Sequence, residues 1–256
     1  MLSDAEMLRY SRHLLLKEIG ESGQNKLKKA NVLIIGMGGL GSPAALYLGA
    51  AGIGSMAIAD FDQLEVSNLQ RQIGYQNSDL GKNKVDLMQQ RLHALNPEIQ
   101  VRTIHQKMNK NQLLLELMLA DVVLDCTDNI STRQMINSAC VEAKKPLIIG
   151  AAIGMQGQLM FFDHQQAHFP CYHCVFPSNE EQSLNCSNSG VLGPVVGIIG
   201  TLQALEAIKY IVGIASGVKN KMKLFDGKTL NWQTFNISQD PQCTVCGENK
   251  SENNSQ

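Results

Sequence analysis

The stretch "NVLIIGMGGLGS", Asn31 to Ser42, decides the fold. A short apolar run reads as a buried strand and leads into Gly36-Met37-Gly38-Gly39-Leu40-Gly41. This is the glycine spacing of a dinucleotide-binding turn. Ser42 to Gly52, rich in Ala and Leu, reads as the helix that follows. Its N-terminus offers unpaired N–H groups to a phosphate. Met56 to Asp60 reads as the next strand. Asp60 ends it about 20 residues beyond the last glycine, where a carboxylate suits ribose hydroxyls. Strand, turn, helix and acid together point to an adenine-nucleotide site; the plain alternative is a tight turn with no ligand. They do not separate NAD from ATP.

The next segment favours ATP. "DFDQLEVSNLQRQIGY" runs from Asp60 to Tyr75, and Lys84 follows in "GKNK". A hydride-transfer site needs a flat apolar slot for nicotinamide. Here Asn68, Gln70 and Gln72 supply amides and Arg71 and Lys84 supply cations instead. Arginine offers a forked donor set and lysine a point charge, both suited to phosphates. Downstream, "LDCTDN" puts Asp125, Asp128 and Asn129 at the end of another strand. Ligands sit at the carboxyl edge of a parallel sheet, and an acid there can hold Mg²⁺ against phosphate oxygens. Each residue alone also fits a solvated charge, or a helix cap for Asp128; the set after a glycine turn points to a triphosphate.

The rest of the chain reads as α/β. "SDAE" (Ser3 to Glu6) has capping-box spacing and predicts a helix through about Leu16. Lys84 to Leu95 reads as a helix stopped by Asn96-Pro97, Ile99 to His105 as a strand, Leu113 to Leu119 as a helix. Val122 to Cys126 is a strand and Ser131 to Ala143 a helix. Strands follow at Leu147 to Ala151 and Gln158 to Phe162. After a polar, irregular stretch from 163 to 190 come a long helix at Val195 to Val212 and strands at Lys223 to Asp226 and Trp232 to Ile237. The first half therefore builds a Rossmann-like, mostly parallel sheet from βαβ units, and the closely spaced later strands add antiparallel ones. The expected organisation is a single domain over 1–248 with a disordered tail, 249–256.

Among 256 residues, charge balances to -1, which gives no case for nucleic acid or a membrane surface. The N-terminus lacks the pattern of a signal peptide, and the apolar stretch from Val191 to Ala215 carries Gln203, Glu206 and Lys209, as a buried helix does. A cytoplasmic protein is expected. Its seven cysteines then argue against a disulfide framework. Cys171-Tyr-His-Cys174 and Cys243-Thr-Val-Cys246 are two C-x-x-C pairs suited to one tetrahedral Zn²⁺, which would clamp the C-terminal part onto the 163–190 region. The other readings are four reduced thiols and a redox-active C-x-x-C, although no thioredoxin-like helix start accompanies either pair. His173, inside a pair, is expected to be exposed. Cys126 and Cys140 read as inert buried residues. Cys186, in "LNCSNSGVLGP" before the long helix, is placed to have a lowered pKa and act as a nucleophile; the plain alternative is an incidental loop cysteine.

"GMGGLGSPAALYLGAAGIG", "DQLEVSNLQRQ", "GKNK", "CTDN" and the paired "CYHC" and "CTVC" resemble the ThiF/MoeB/HesA group, bacterial relatives of the ubiquitin-activating enzymes, over about Met7 to Gly247. The resemblance implies a homodimer that uses Mg-ATP to adenylate the C-terminal Gly-Gly carboxylate of a ubiquitin-like sulfur-carrier protein, ahead of sulfur transfer from a persulfide donor. By position it lays Gly39 and Gly41 against the nucleotide and Asp60 on the ribose. Asn68, Arg71 and Lys84 take the phosphates, with Asp62, Gln72 and Asn129 in the same motifs, and Asp128 takes Mg²⁺. Arg12, in "RYSRH", matches an arginine that reaches the neighbouring subunit's phosphates. It also implies the zinc site, and a role for Cys186 in attacking the acyl adenylate or linking to the carrier. The segments "NCSNSGVLGPVVG" and "LFDGKTLNW" are more similar to the thiamine-thiazole branch. The molybdopterin-synthase branch, an enzyme serving several carriers, a non-catalytic zinc-stabilised partner and an NAD-dependent oxidoreductase are the alternatives.

Overall fold

The computed structural model describes residues 1–166, 168–177 and 190–247. Cys186 and the tail expected to be disordered lie outside the described residues. Eight strands form one sheet: β1 (Asn31–Ile35), β2 (Ser55–Ala59), β3 (Gln100–Ile104), β4 (Val122–Asp125), β5 (Leu147–Ile153), β6 (Gln156–Phe162), β7 (Lys221–Asp226) and β8 (Asn231–Asn236). The spatial order is β3-β2-β1-β4-β5-β6-β7-β8. The first five pair in parallel and the last three add antiparallel, as expected.

The nine helices among the described residues are α1 (Asp4–Arg9), α2 (Ser11–Leu14), α3 (Gly20–Lys29), α4 (Gly41–Ala51), α5 (Lys84–Leu95), α6 (Lys110–Leu119), α7 (Ile130–Glu142), α8 (Tyr172–Val175) and α9 (Gly193–Val212). Strand β1 shows why its apolar run is unbroken. Val32 and Ile34 enter one core with α4, α5 and α9, while Leu33 and Ile35 enter the other with α6 and α7. Helices cover both faces, so each of these four residues meets apolar partners.

Two helical expectations need correction. The helix expected through Leu16 breaks at Tyr10, whose backbone (φ -98°, ψ 15°) leaves the helical range. The break turns the Tyr10 ring into the core, where its hydroxyl accepts from Asn96 Nδ2 at 2.8 Å. Helix α3, by contrast, was not expected in "GESGQNKLKK". It has two glycines and one buried apolar side chain, Leu27. Tertiary bonds hold it: buried Gln24 Nε2 donates to Ala51 O at 2.8 Å, and Lys26 Nζ donates to Val212 O at 2.9 Å. Helix α9 has the length and apolarity to cross a membrane. Here it lies on the sheet and carries buried Gln203 and Glu206. Gln203 Nε2 donates to Asp125 O at 2.8 Å, and Glu206 pairs with Lys209 at 2.7 Å.

Candidate nucleotide site and cysteine cluster

The glycine turn follows β1 without a gap. Gly36 takes φ +95°, and a Cβ there would stand 2.7 Å from Cys126 O. Gly41, the first residue of α4, is packed tighter still: its Cβ would lie 1.8 Å from Gly36 O. Gly41 therefore lets the turn close on itself, which is a role in folding. Asp60 braces the turn from β2, its Oδ2 accepting from Met37 N at 2.7 Å and Oδ1 from Asp62 N at 2.9 Å. Burial pushes its carboxyl above the usual range, and Lys84 opposes this.

Beyond the turn lies a cavity of about 970 Å³. It opens at the carboxyl ends of β1, β2 and β4. The chain winds in opposite directions from β1 and β4, so this is the switch point where open α/β sheets bind ligands. Gly39, Asp60, Asp62, Asn68, Arg71, Gln72, Lys84, Asp128 and Asn129 all line it. Gly41 does not, and Arg12 sits outside it, exposed on α2. The cations are held by nearby groups. Lys84 Nζ contacts Asp62 Oδ2 at 2.9 Å, and Arg71 Nη1 donates to Ser67 O at 3.0 Å. Gln72 is buried, and its Oε1 has no hydrogen-bond partner in the protein. An orphaned buried acceptor in a cavity wall fits a polar ligand there.

The two acids after β4 separate. Asp125 is fully buried, its Oδ1 accepting from Thr127 N and Oγ1 at 2.9 and 2.7 Å. Burial pushes its pKa up. Asp128 is exposed at the cavity, free to reach a hard cation. The helix cap is not Asp128 but Asn129, whose Oδ1 accepts from Thr132 N at 2.9 Å.

Sequence reasoning missed the apolar lobe of the cavity. Met108, Leu113, Met135, Ile136, Tyr172 and Phe176 line it, from α6, α7, α8 and the end of the β3 connection. Their helical spacing marks them as buried but cannot separate a cavity wall from a core.

The two C-x-x-C pairs meet, although about 70 residues part them. All four sulfurs lie within 4.8 Å of one another. Cys171 and Cys174 stand 3.9 Å apart, Cys171 and Cys243 3.8 Å, and Cys174 and Cys246 3.3 Å. Thiolates about 2.3 Å from one tetrahedral ion stand about 3.8 Å apart, so the set fits Zn²⁺. Backbone N–H groups donate to two sulfurs, Asp240 N to Cys174 Sγ at 3.5 Å and Val245 N to Cys243 Sγ at 3.4 Å. His173 is half-buried, not exposed as expected. It bridges Gln134 Oε1 and Thr244 Oγ1, each at 3.2 Å. Cys126 and Cys140 are buried, and burial pushes both thiols up, as suits inert residues.

A doubly wound sheet, a cation-lined cavity at its switch point and a four-cysteine clamp define a Rossmann-like nucleotide enzyme. The chain belongs to the ThiF family, whose model matches residues 10–245. It is 48% identical over 246 residues to the sulfur carrier protein ThiS adenylyltransferase of Escherichia coli, covering 96% of this chain and 97% of that one. It is 40% identical over 247 residues to the molybdopterin-synthase adenylyltransferase of the same organism, covering 96% and 99%. Among solved structures it superposes on E. coli MccB with ATP at a TM-score of 0.80 and 28% identity, over 93% of this chain and 73% of that one. The expected α/β fold and family are borne out. Both relatives are adenylyltransferases, the class of enzyme that this site fits.

Proposed function

We propose that this enzyme adenylates the C-terminal glycine carboxylate of a ubiquitin-like sulfur carrier, on the thiamine-thiazole branch. The observation that carries the reading is the cavity itself. It gathers Asp60, Asn68, Arg71, Gln72, Lys84 and Asp128 beside the glycine turn. Carrier-dependent exchange of ATP with pyrophosphate tests it. The higher identity to the ThiS adenylyltransferase supports the branch; activity confined to the molybdopterin carrier is the second reading.

In this mechanism Asp60 takes the ribose and the apolar lobe takes the base. Asn68, Gln72, Arg71 and Lys84 lie along the phosphates. A carboxylate oxygen of the carrier attacks the α-phosphorus, the bond to the bridging oxygen breaks, and pyrophosphate leaves with the released electron pair. No proton moves, so no general base is required. Arg71 and Lys84 stabilise the charge that grows on the leaving group, the kind of electrostatic help that dominates such sites. Asp128 and the neighbouring Asn129 would hold Mg²⁺, which when bound neutralises phosphate charge. Zn²⁺ in the cysteine cluster serves the fold. The Cys186 thiolate then attacks the acyl carbon, and AMP departs with the electron pair of the broken carbon–oxygen bond, which links carrier to enzyme as a thioester; a persulfide sulfur of the donor attacks that carbon in turn and releases the Cys186 thiolate.

The enzyme acts as a homodimer in this reading, with Arg12 reaching the phosphates of the second copy's site. The α1–α2 region around Arg12 supports it, because Leu8 and Leu15 are 79% and 74% exposed. Exposed apolar side chains on both sides of Arg12 in sequence suit an interaction surface.

A further inference from the structure

The four-cysteine cluster does more than fasten the C-terminal part to the sheet: its first pair also frames a wall of the nucleotide cavity. Helix α8 is four residues long, Tyr172–Val175, with Cys171 as its N-cap and Cys174 inside it. One turn of helix has no stability of its own. Its position comes from the cluster and from two side chains of α7. Asn137 Oδ1 accepts from Tyr172 N at 2.9 Å, and Asn137 is fully buried. Gln134 Nε2 donates to Phe176 O at 2.5 Å. The other end of the same amide meets His173, which continues to Thr244 inside the second pair. A connected route thus runs from the Cys243–Cys246 turn through His173 and Gln134 to α7. Helix α7 itself contributes Met135 and Ile136 to the cavity, and α8 contributes the Tyr172 ring and, at its end, Phe176. The two rings lie 5.0 Å apart, 38° from parallel.

We infer that metal in the four-cysteine cluster sets nucleotide affinity, with Gln134 and Asn137 as positioning residues that hold Tyr172 and Phe176 in the cavity wall. The inference rests on the nucleotide reading of the cavity. With the metal bound, α8 is fixed at both ends and the wall is preformed. With it withdrawn, α8 loses that anchor while its bonds to α7 remain, and nucleotide binding must order it again, which weakens binding.

The test measures ATP affinity by calorimetry for three forms: the protein as purified, the protein stripped with a zinc chelator, and Gln134→Met. This substitution breaks both amide contacts and replaces neither a cysteine nor a cavity-lining residue. Metal content and thermal unfolding are followed on each form. Gln134→Met should keep its zinc and bind ATP about fivefold more weakly, the scale of one or two lost hydrogen bonds. Stripped protein should bind more weakly still, and zinc should restore it. KM for ATP should rise while kcat changes little, since only binding common to ground and transition state is lost. Stripping should cost Gln134→Met less than it costs the parent, because both act along one route. Should Gln134→Met fail to fold, His173→Leu breaks the same bridge from a half-exposed position. Affinity within twofold in a folded, zinc-loaded variant and in stripped protein overturns the inference and leaves the nucleotide site standing. No ATP binding by the parent protein overturns both.

Discussion

Lys84 Nζ lies 2.9 Å from Asp62 Oδ2, and the two ends of the pair differ in exposure: the lysine side chain is 5% exposed and the aspartate 51%. The buried cation is therefore held inside the cavity by a partner that water can replace. An incoming phosphate can take the lysine while Asp62 returns to solvent at little cost. Such half-exposed pairs are worth about 1 kcal/mol or less. Lys84→Met should therefore leave stability nearly unchanged and lower the rate of pyrophosphate exchange by about 100-fold or more, the usual effect of losing one charge aimed at a developing anion. Thermal unfolding and exchange kinetics on one preparation check both halves.

Gly41 and Gly38 belong to one motif but differ in what a methyl group would meet. At Gly41 it would overlap Gly36 O; at Gly38 it would touch only Gln72 Nε2, at 3.5 Å. Gly41→Ala should destabilise the fold by about 3 kcal/mol or more, as backbone overpacking does. Gly38→Ala should fold as the parent does. Urea unfolding of the pair reads the difference, and equal midpoints would remove the folding role given to Gly41.

That contrast shows what the sequence could carry. The G-x-G-x-x-G spacing names the turn, yet it cannot say which glycine faces a ligand and which faces the chain's own backbone. Asp60, Arg71, Lys84 and Asp128 were legible only as a set that follows a glycine turn, and all four line one cavity. The two C-x-x-C pairs were legible as one cluster, whereas the partners that Gln134 and Asn137 find on α8 depend on packing across 35 or more residues. Helix α3 was illegible for a related reason: its helix is held by Gln24 and Lys26 reaching distant carbonyls, not by propensity or an apolar stripe. Tyr10 broke an expected helix because its ring found a core position beside Asn96.

Purified protein should contain about one Zn per chain. Cys243→Ser should lose it together with several kcal/mol of stability, since binding energy at such sites is folding energy. Elemental analysis beside thermal unfolding checks this. Full metal content in Cys243→Ser would remove that residue from the ligand set.

His164 is buried and stacks on Phe162, its Nδ1 paired with Lys145 O at 2.9 Å. Burial pushes its pKa down to about 4, from 6.5 in an unfolded chain. Between those values the unfolded state binds the proton and the folded state does not. Stability is therefore full above pH 6.5 and falls as the pH drops toward 4, by about 3 kcal/mol at the limit. Urea midpoints from pH 7.5 to 5 should fall more steeply for the parent than for His164→Gln.

Arg12→Ala and Arg71→Ala should each be inactive alone. Mixed one to one and allowed to exchange subunits, they should regain about a quarter of parental activity, because half the dimers are mixed and each holds one intact site. No recovery would place Arg12 in its own chain's site or in none.

The central claim is adenylation of a carrier's terminal carboxylate. Its most direct measurement is ATP–pyrophosphate exchange with pure protein and Mg²⁺, adding the thiamine-pathway carrier, the molybdopterin carrier, and each carrier lacking its last glycine. The account predicts exchange with the intact thiamine-pathway carrier and none with the shortened one. Exchange with the molybdopterin carrier alone would keep the chemistry and move the branch. No exchange with any carrier would contradict the account.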